Sequence, residues 1–448
     1  MNVRKLLFSR KRHPIYGVSW GKVESPVLTR TDAAVGMVAN VGTGGQFARN
    51  DFDGASIYRE MQSVTDTLGN VFVRIPKFYI KKTDGVGVKT WQVSKTKHDS
   101  NYYLPWCFWD FTNNKELPYF DVGKYTASLG AGNRLESKLG VSPLVNTNIV
   151  NMRAYAQNNN VNGLLGYQQL DVHTHDLLAT LAFIEFGTLN IQTVMQGYTT
   201  GRYGVESELA TLTESGVNRI VVSNATAANY RVGQTISVGT ARYGTQVFYG
   251  RVITAITNYD VNNKAIEFDG SPVSIATGNF LQNSGAVSGF SANIAATSGS
   301  IGDNTSGKYP CKYRGIESPF GDIWQFVDGV NINDRQAWVA KNAGQYASNV
   351  FASPYEQLGY TNNATANNYV SEMGFDANHP FAEVPVGLSG GSTTYYSDYY
   401  YQATGARIAH FGGSWDFGVF AGFSCWNLGG TSSYANGIVG GRLVRKGV

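Results

Sequence analysis

Runs dense in apolar, β-branched and aromatic residues begin at about residue 51, with Val71-Phe72-Val73-Arg74-Ile75 before Pro76 and Lys77-Phe78-Tyr79-Ile80 after it, and they read as strands of a packed domain. Two segments change to helical spacing. Thr147 is placed to cap a helix through Ile149, Met152 and Tyr155 into the polar stop Asn158-Asn159-Asn160. Asp171 or Thr174 caps a second through Leu177, Leu178, Leu181, Ile184 and Glu185 to Gly187. Its apolar residues recur every three or four positions, which predicts an amphipathic helix lying on a sheet. From about 203 to 306 the pattern shortens to evenly spaced strands, among them Asn218-Arg219-Ile220-Val221-Val222, Gln234-Thr235-Ile236-Ser237-Val238 and Gly250-Arg251-Val252-Ile253-Thr254, punctuated by Gly, Asn and Asp. Such spacing predicts a small β-barrel or sandwich, inserted into a loop of the larger domain. The polar run from Ser298 to Gly307 leads back to the aromatic texture, which continues to 448. Ahead of all this, residues 1–50 carry only short extended pieces such as Tyr16-Gly17-Val18-Ser19-Trp20 and a Gly-rich link, Asn40-Val41-Gly42-Thr43-Gly44-Gly45, and read as an attachment segment. The organisation expected is 1–50, 51–202, an insertion at 203–306, and 307–448. The expected class is α+β, rich in strands, with two helices and abundant irregular loops.

Composition narrows the function. The chain has 448 residues, 42% of them hydrophobic and only 15% charged, with 52 glycines and 27 tyrosines. That balance suits β-rich proteins that act by surface contact more than it suits metabolic enzymes. A net charge of +4 gives no field that would gather nucleic acid. The one basic run is Arg4, Lys5, Arg10, Lys11, Arg12 and His13, a candidate docking arm for an acidic partner. Leu6-Leu7-Phe8 is too short for the apolar centre of a signal peptide, and no stretch reaches membrane-spanning length, so neither a cleaved leader nor membrane insertion is expected. Cys107, Cys311 and Cys425 are far apart among aromatics and are expected to be buried free thiols.

Five short motifs in order carry a resemblance. They are Ile75-Pro76-Lys77-Phe78-Tyr79, Glu185-Phe186-Gly187-Thr188, Arg314-Gly315-Ile316-Glu317-Ser318-Pro319-Phe320-Gly321-Asp322-Ile323-Trp324, Phe411-Gly412-Gly413-Ser414-Trp415, and Gly440-Gly441-Arg442-Leu443-Val444. Over about 51–200 and 307–448 the chain resembles the formylglycine-generating-enzyme branch of C-type-lectin-like domains. Between the last two motifs lies the segment that diversity-generating retroelements rewrite in bacteriophage tropism determinants of this kind. The resemblance implies a lectin-like domain at a phage tail-fibre tip or baseplate, commonly a homotrimer. Its variable positions would lie between Trp415 and Ile438.

Physics assigns parts to the motif residues independently of the resemblance. Gly315, Gly321, Gly412 and Gly413 permit turns or close backbone approach, while Trp324, Phe326 and Trp415 fill a core poor in regular structure. Glu317, Asp322 and Arg442 are charges in apolar company and require partners. The oxidase chemistry of the resembled enzymes is not expected, because their cysteine pair would fall at Phe417 and Gly422, and Cys425 is out of register. His173 and His175, near Asp176 and Glu185, would diverge by about 200 degrees on a helix. They are therefore expected to cap the helix and make surface hydrogen bonds, and no metal or other cofactor is expected. His379 and His410 are read as structural. The chain has no G-x-S-x-G elbow and no P-loop, and no compact Asp/Asn loop has calcium-ligand spacing.

From Thr393 the chain runs through Tyr395, Tyr396, Tyr399, Tyr400 and Tyr401, then Asp416, Phe417, Val419, Phe420, Phe423, Trp426, Asn427, Tyr434 and Asn436, spaced mainly by Gly, Ser, Ala and Asp. Tyr and Trp give contact area at low entropic cost and Ser, Gly and Asn add adaptable hydrogen bonds, as in antibody paratopes. The expected receptor-binding residues are Asp416, Phe417, Phe420, Phe423, Trp426, Asn427, Tyr434, Tyr399 and Tyr400, with Gly315, Trp324, Gly412, Gly413, Trp415 and Arg442 holding the frame. The expected function is adhesion to a bacterial surface glycan or protein by a virion protein made in the host cytoplasm and joined to other tail proteins through its N-terminal segment. Two alternatives stand beside it. One is a structural tail component with its aromatics buried between subunits, and the other is a surface polysaccharide-degrading enzyme with two converging carboxylates.

Overall fold

In the computed structural model, which describes residues 12–242, 244–361 and 367–448, strands dominate and helices are few, a β-rich α+β arrangement. Helix α1 (Ile149–Gln157) is capped by Asn148, whose side chain accepts from the Asn151 amide, so the cap falls one residue after the expected Thr147. It buries Ile149, Met152 and Ala156 against the strands Arg134–Glu136 and Tyr167–Gln169. Helix α2 (Val172–Phe186) begins where Asp171 accepts from the Thr174 amide and ends at Gly187 in the left-handed region. All its residues are buried, polar ones included. The expectation of an amphipathic helix on one sheet is thus corrected. Strands from opposite ends of the sequence, Tyr16–Trp20, Val88–Ser94, Trp324–Asn333 and His379–Gly387, all pack on it.

Three sheets make up most of the parent domain. The first runs Thr29–Asp32, Tyr16–Trp20, Val88–Ser94, Tyr79–Gly85. The second runs Tyr167–Gln169, Leu443–Lys446, Tyr119–Gly123, Val71–Pro76, Gln62–Thr65. The third and largest runs Glu356–Thr361, Gln336–Val339, Trp324–Asn333, Ala406–Gly412, Gly422–Leu428, Tyr399–Gln402, Asn368–Tyr369. Tyr16–Trp20 is an inner strand whose Val18 and Trp20 are buried in the main core, and Gly42–Thr43 pairs in parallel with Gly299–Ser300. The boundary expected at residue 50 is therefore wrong as far as the described residues go, because the strand around Val18 completes a sheet. Of the basic run, Arg12 and His13 are exposed, while Arg4, Lys5, Arg10 and Lys11 lie outside the described residues.

The insertion has its own core, from Ala210 through Ile220, Ile236, Phe248 and Ile266 to Leu281. Its sheet runs Arg219–Ser223, Asn263–Phe268, Gln246–Asn258, Thr235–Gly239, Phe280–Asn283, with a short helix α3 (Asn224–Ala227) beside it. Bridges from Leu209 to Phe280 and from Ala210 to Val222 join the two edge strands, closing the sheet on itself. The expected end at 306 is corrected to about 283. Beyond it, Gly299–Ser300 pairs with Cys311–Tyr313 in the parent domain. Cys107, Cys311 and Cys425 are buried and unpaired. No helix among the described residues is long and apolar enough to cross a membrane.

Candidate receptor-binding surface

The C-terminal segment is held by a buried guanidinium. Arg442 donates from Nε to Gln325 Oε1 at 2.9 Å, from Nη1 to the Gly123 carbonyl at 2.8 Å, and from Nη2 to the Glu317 and Ser318 carbonyls at 2.7 and 2.9 Å. Burial pulls its pKa down to about 10, partly offset by Glu317 and Asp322, so it stays charged at neutral pH. The two carboxylates have other work. Glu317 accepts from the Gly289 and Ser291 amides and Asp322 Oδ1 from the Ala286 amide at 2.7 Å, which ties the chain leaving the barrel to the parent domain. The charges that needed partners are bonded mainly to backbone groups.

Gly412 and Gly413 both lie at positive φ, and a Cβ on Gly413 would sit 2.6 Å from that of Ala421, so the turn between the strands Ala406–Gly412 and Gly422–Leu428 admits no side chain there. Gly315 occupies the left-handed region in the turn joining Cys311–Tyr313 to Ile316–Glu317. Trp324 is buried edge-on to His410 and Phe417, and Trp415 donates its amide to the Asp322 carbonyl at 2.8 Å.

The candidate contact residues divide. Phe420 is 36% exposed and packs on Tyr399, Tyr369 and Phe417 with ring centroids 4.5, 5.6 and 5.4 Å away. Val419 beside it is 55% exposed, and Tyr401, two residues along the strand from Tyr399 and so on the same side, is 38% exposed. Together they make an uncharged aromatic face on the edge of the largest sheet. Asp416 is exposed and accepts from the Ser414 hydroxyl, and Asn427 is half-buried, opposite Tyr401 in register. Tyr434 is half-buried and lies flat against His410, 5.7 Å away, apart from the Phe420 face.

Three expected contact residues are corrected. Tyr400, Phe423 and Trp426 are buried. Trp426 packs edge-on to His175, Phe423 on Phe320 and Tyr313, and the Tyr400 hydroxyl bonds to Gln402. The strand Gly422–Leu428 is central in its sheet and covered on both faces, so all its side chains but Asn427 are buried away from a partner. Tyr369 was not foreseen. It arrives from a distant segment by pairing with Tyr399, and no local pattern marks it.

The histidine cluster does not converge. His173 and His175 are buried and bond to the carbonyls of Ala340 and Phe423, not at the surface as expected. Asp176 pairs with Lys82, and Glu185 pairs with Arg314 while accepting from Asn50. His379 bonds to Glu356, and His410 is clamped between Trp324 and Tyr434. No group of His, Cys, Asp and Glu among the described residues is arranged to hold a metal ion. No protein-family model matches the chain, and no curated protein matches it either.

Proposed function

We propose that this chain is a host-adhesion protein of a bacteriophage tail, built on a C-type-lectin-like domain, that docks on a bacterial surface glycan or protein through the face formed by Tyr369, Tyr399, Tyr401, Val419 and Phe420. The observation that carries the reading is that exposed aromatic face, carried on the short turn at Val419 and Phe420 and on the last two strands of the largest sheet. Exposed apolar clusters on otherwise polar surfaces mark contact sites, and aromatic rings supply most of the energy at such contacts. The five ordered motifs support the lectin-like assignment, and with that resemblance the proposal extends to the distal tail of a virion and to a homotrimer that repeats the face and gains avidity. Attachment to other tail proteins falls to the basic residues ahead of Pro14.

The test compares wild type with Phe420→Ser/Tyr401→Ser for sedimentation with a panel of intact bacterial strains, after both proteins are matched for folding and oligomeric state. Saturable adsorption to at least one strain, lost in the double variant, is the expected result. A variant that no longer assembles marks the face as a subunit interface of a structural tail component. Equal adsorption by both proteins removes the face from receptor binding.

A further inference from the structure

A cleft of about 420 Å³ opens where the inserted barrel meets the C-terminal segment. It shares no residue with the Phe420 face. Tyr203 and Tyr249 from the barrel side, both half-buried, supply its aromatic walls, and Tyr203 stands edge to face at 5.6 Å on the buried ring of Trp415 from the parent domain. Between them stand carboxamides from both sides: Gln246 and Gln282 from the barrel, Asn146 and Asn436 from the parent. None of the described lining residues carries a charge.

Each of these features selects among ligands. The volume falls within the range of about 300–1,000 Å³ usual for small-molecule sites. Aromatic walls accept the C–H face of a pyranose, and an amide offers a donor and an acceptor together, which matches a hydroxyl that is both. A carboxylated or phosphorylated ligand would meet no cation among these residues, and a cationic one no anion. We infer that the cleft between barrel and C-terminal segment binds a neutral sugar ring, stacked on Tyr203 or Tyr249 and hydrogen-bonded by the surrounding carboxamides. The barrel is then half of a second recognition site, which goes beyond the adhesive face and does not depend on it.

Two positions test this without touching the frame, because Ala435 and Gln246 both line the cleft and are exposed. The probes are glucose, galactose, mannose and N-acetylglucosamine with their short oligomers, and glucuronic acid as the charged control, read on the full chain by saturation-transfer NMR and calorimetry. At least one neutral probe is expected to bind saturably. Ala435→Trp, which fills the space, should abolish that binding, and Gln246→Ala should weaken it about ten-fold, the loss expected from one hydrogen-bonding group. Phe420→Ser should leave it unchanged. The proposal is overturned if no neutral probe saturates in the millimolar range, if glucuronic acid binds as well as the neutral sugars, or if Ala435→Trp binds like wild type. Because cell adsorption is read at Phe420 and sugar binding at Ala435, failure of one leaves the other standing.

Discussion

Trp426 and Phe420 are six positions apart in one aromatic segment, and their fates differ entirely. Trp426 is 1% exposed against His175, whereas Phe420 stands at the surface on Tyr399. Trp426→Ala is therefore expected to cost about 3–5 kcal/mol of stability, as a buried aromatic truncation does, measured as a lowered urea midpoint, while Phe420→Ala shifts it little. Residue type alone could not separate them, because a strand covered on both faces buries nearly every side chain and erases the alternation that would announce the exposed ones. What residue type did convey was need. Glu317, Asp322 and Arg442 stood out as charges requiring partners, although the partners, mostly backbone groups from far along the chain, had no local mark. The buried histidines carry a pH signature. Burial lowers the pKa of His410 to about 3 and that of His175 to about 4. Below the ordinary histidine value of 6.5 the unfolded chain takes up protons that these folded sites refuse, so stability falls as pH drops from 6.5 and levels off below those folded values. The slope reaches about 1.4 kcal/mol per pH unit for each group. Asp322, raised by burial to about 7, opposes this, since the folded site holds a proton between about 7 and the ordinary 3.8. His410→Phe keeps a ring between Trp324 and Tyr434, and its loss of stability between about pH 7 and 4.5, followed by urea titration at each pH, is expected to be smaller than that of wild type.

At the level of elements, local signals named the helices and failed on what surrounds them. Asp171 and Gly187 delimit α2 as their chemistry requires, but its three- and four-residue apolar spacing says nothing of the polar face, which is covered too. His173, Thr174, Asp176 and Glu185 are tolerated inside because each finds a partner, His173 in two carbonyls and Glu185 in Arg314. The strand Tyr16–Trp20 was unreadable as part of the domain because its neighbour, Val88–Ser94, lies some seventy residues on, and only long-range pairing reveals it. The barrel was legible from its strand spacing, and its ends show why it is tolerated as an insertion. The Arg202 amide donates to Asn283 Oδ1 at 2.7 Å and the Asn283 amide to the Arg202 carbonyl at 2.8 Å, so the entering and leaving chain are already joined. Replacing 204–282 with a short flexible linker is expected to leave a parent domain that unfolds in one cooperative transition, measured by circular dichroism, with the sugar cleft gone.

For the whole molecule, the aromatic segment that carries Tyr399 and Phe420 was legible, but which of its rings stay outside was not, since exposure depends on which segments the largest sheet brings side by side. The face at Phe420 is uncharged, so adsorption of the purified protein to cells should change little between about 0.1 and 1 M salt, a range that screens exposed ion pairs almost completely. A binding curve that collapses with salt would move the contact to a charged surface. The strand Leu443–Lys446, seated inside its sheet between Tyr119–Gly123 and Tyr167–Gln169, adds a constraint of another kind. It is synthesised after the stretch from Trp415 to Ile438, and the domain cannot close without it. A stop codon or reading-frame error anywhere in that stretch deletes this strand along with Arg442. If the segment is rewritten from one generation to the next, the fold proofreads the rewriting: only messages read through in frame yield a folded protein to display, and a garbled copy removes itself before it can occupy a place in the particle.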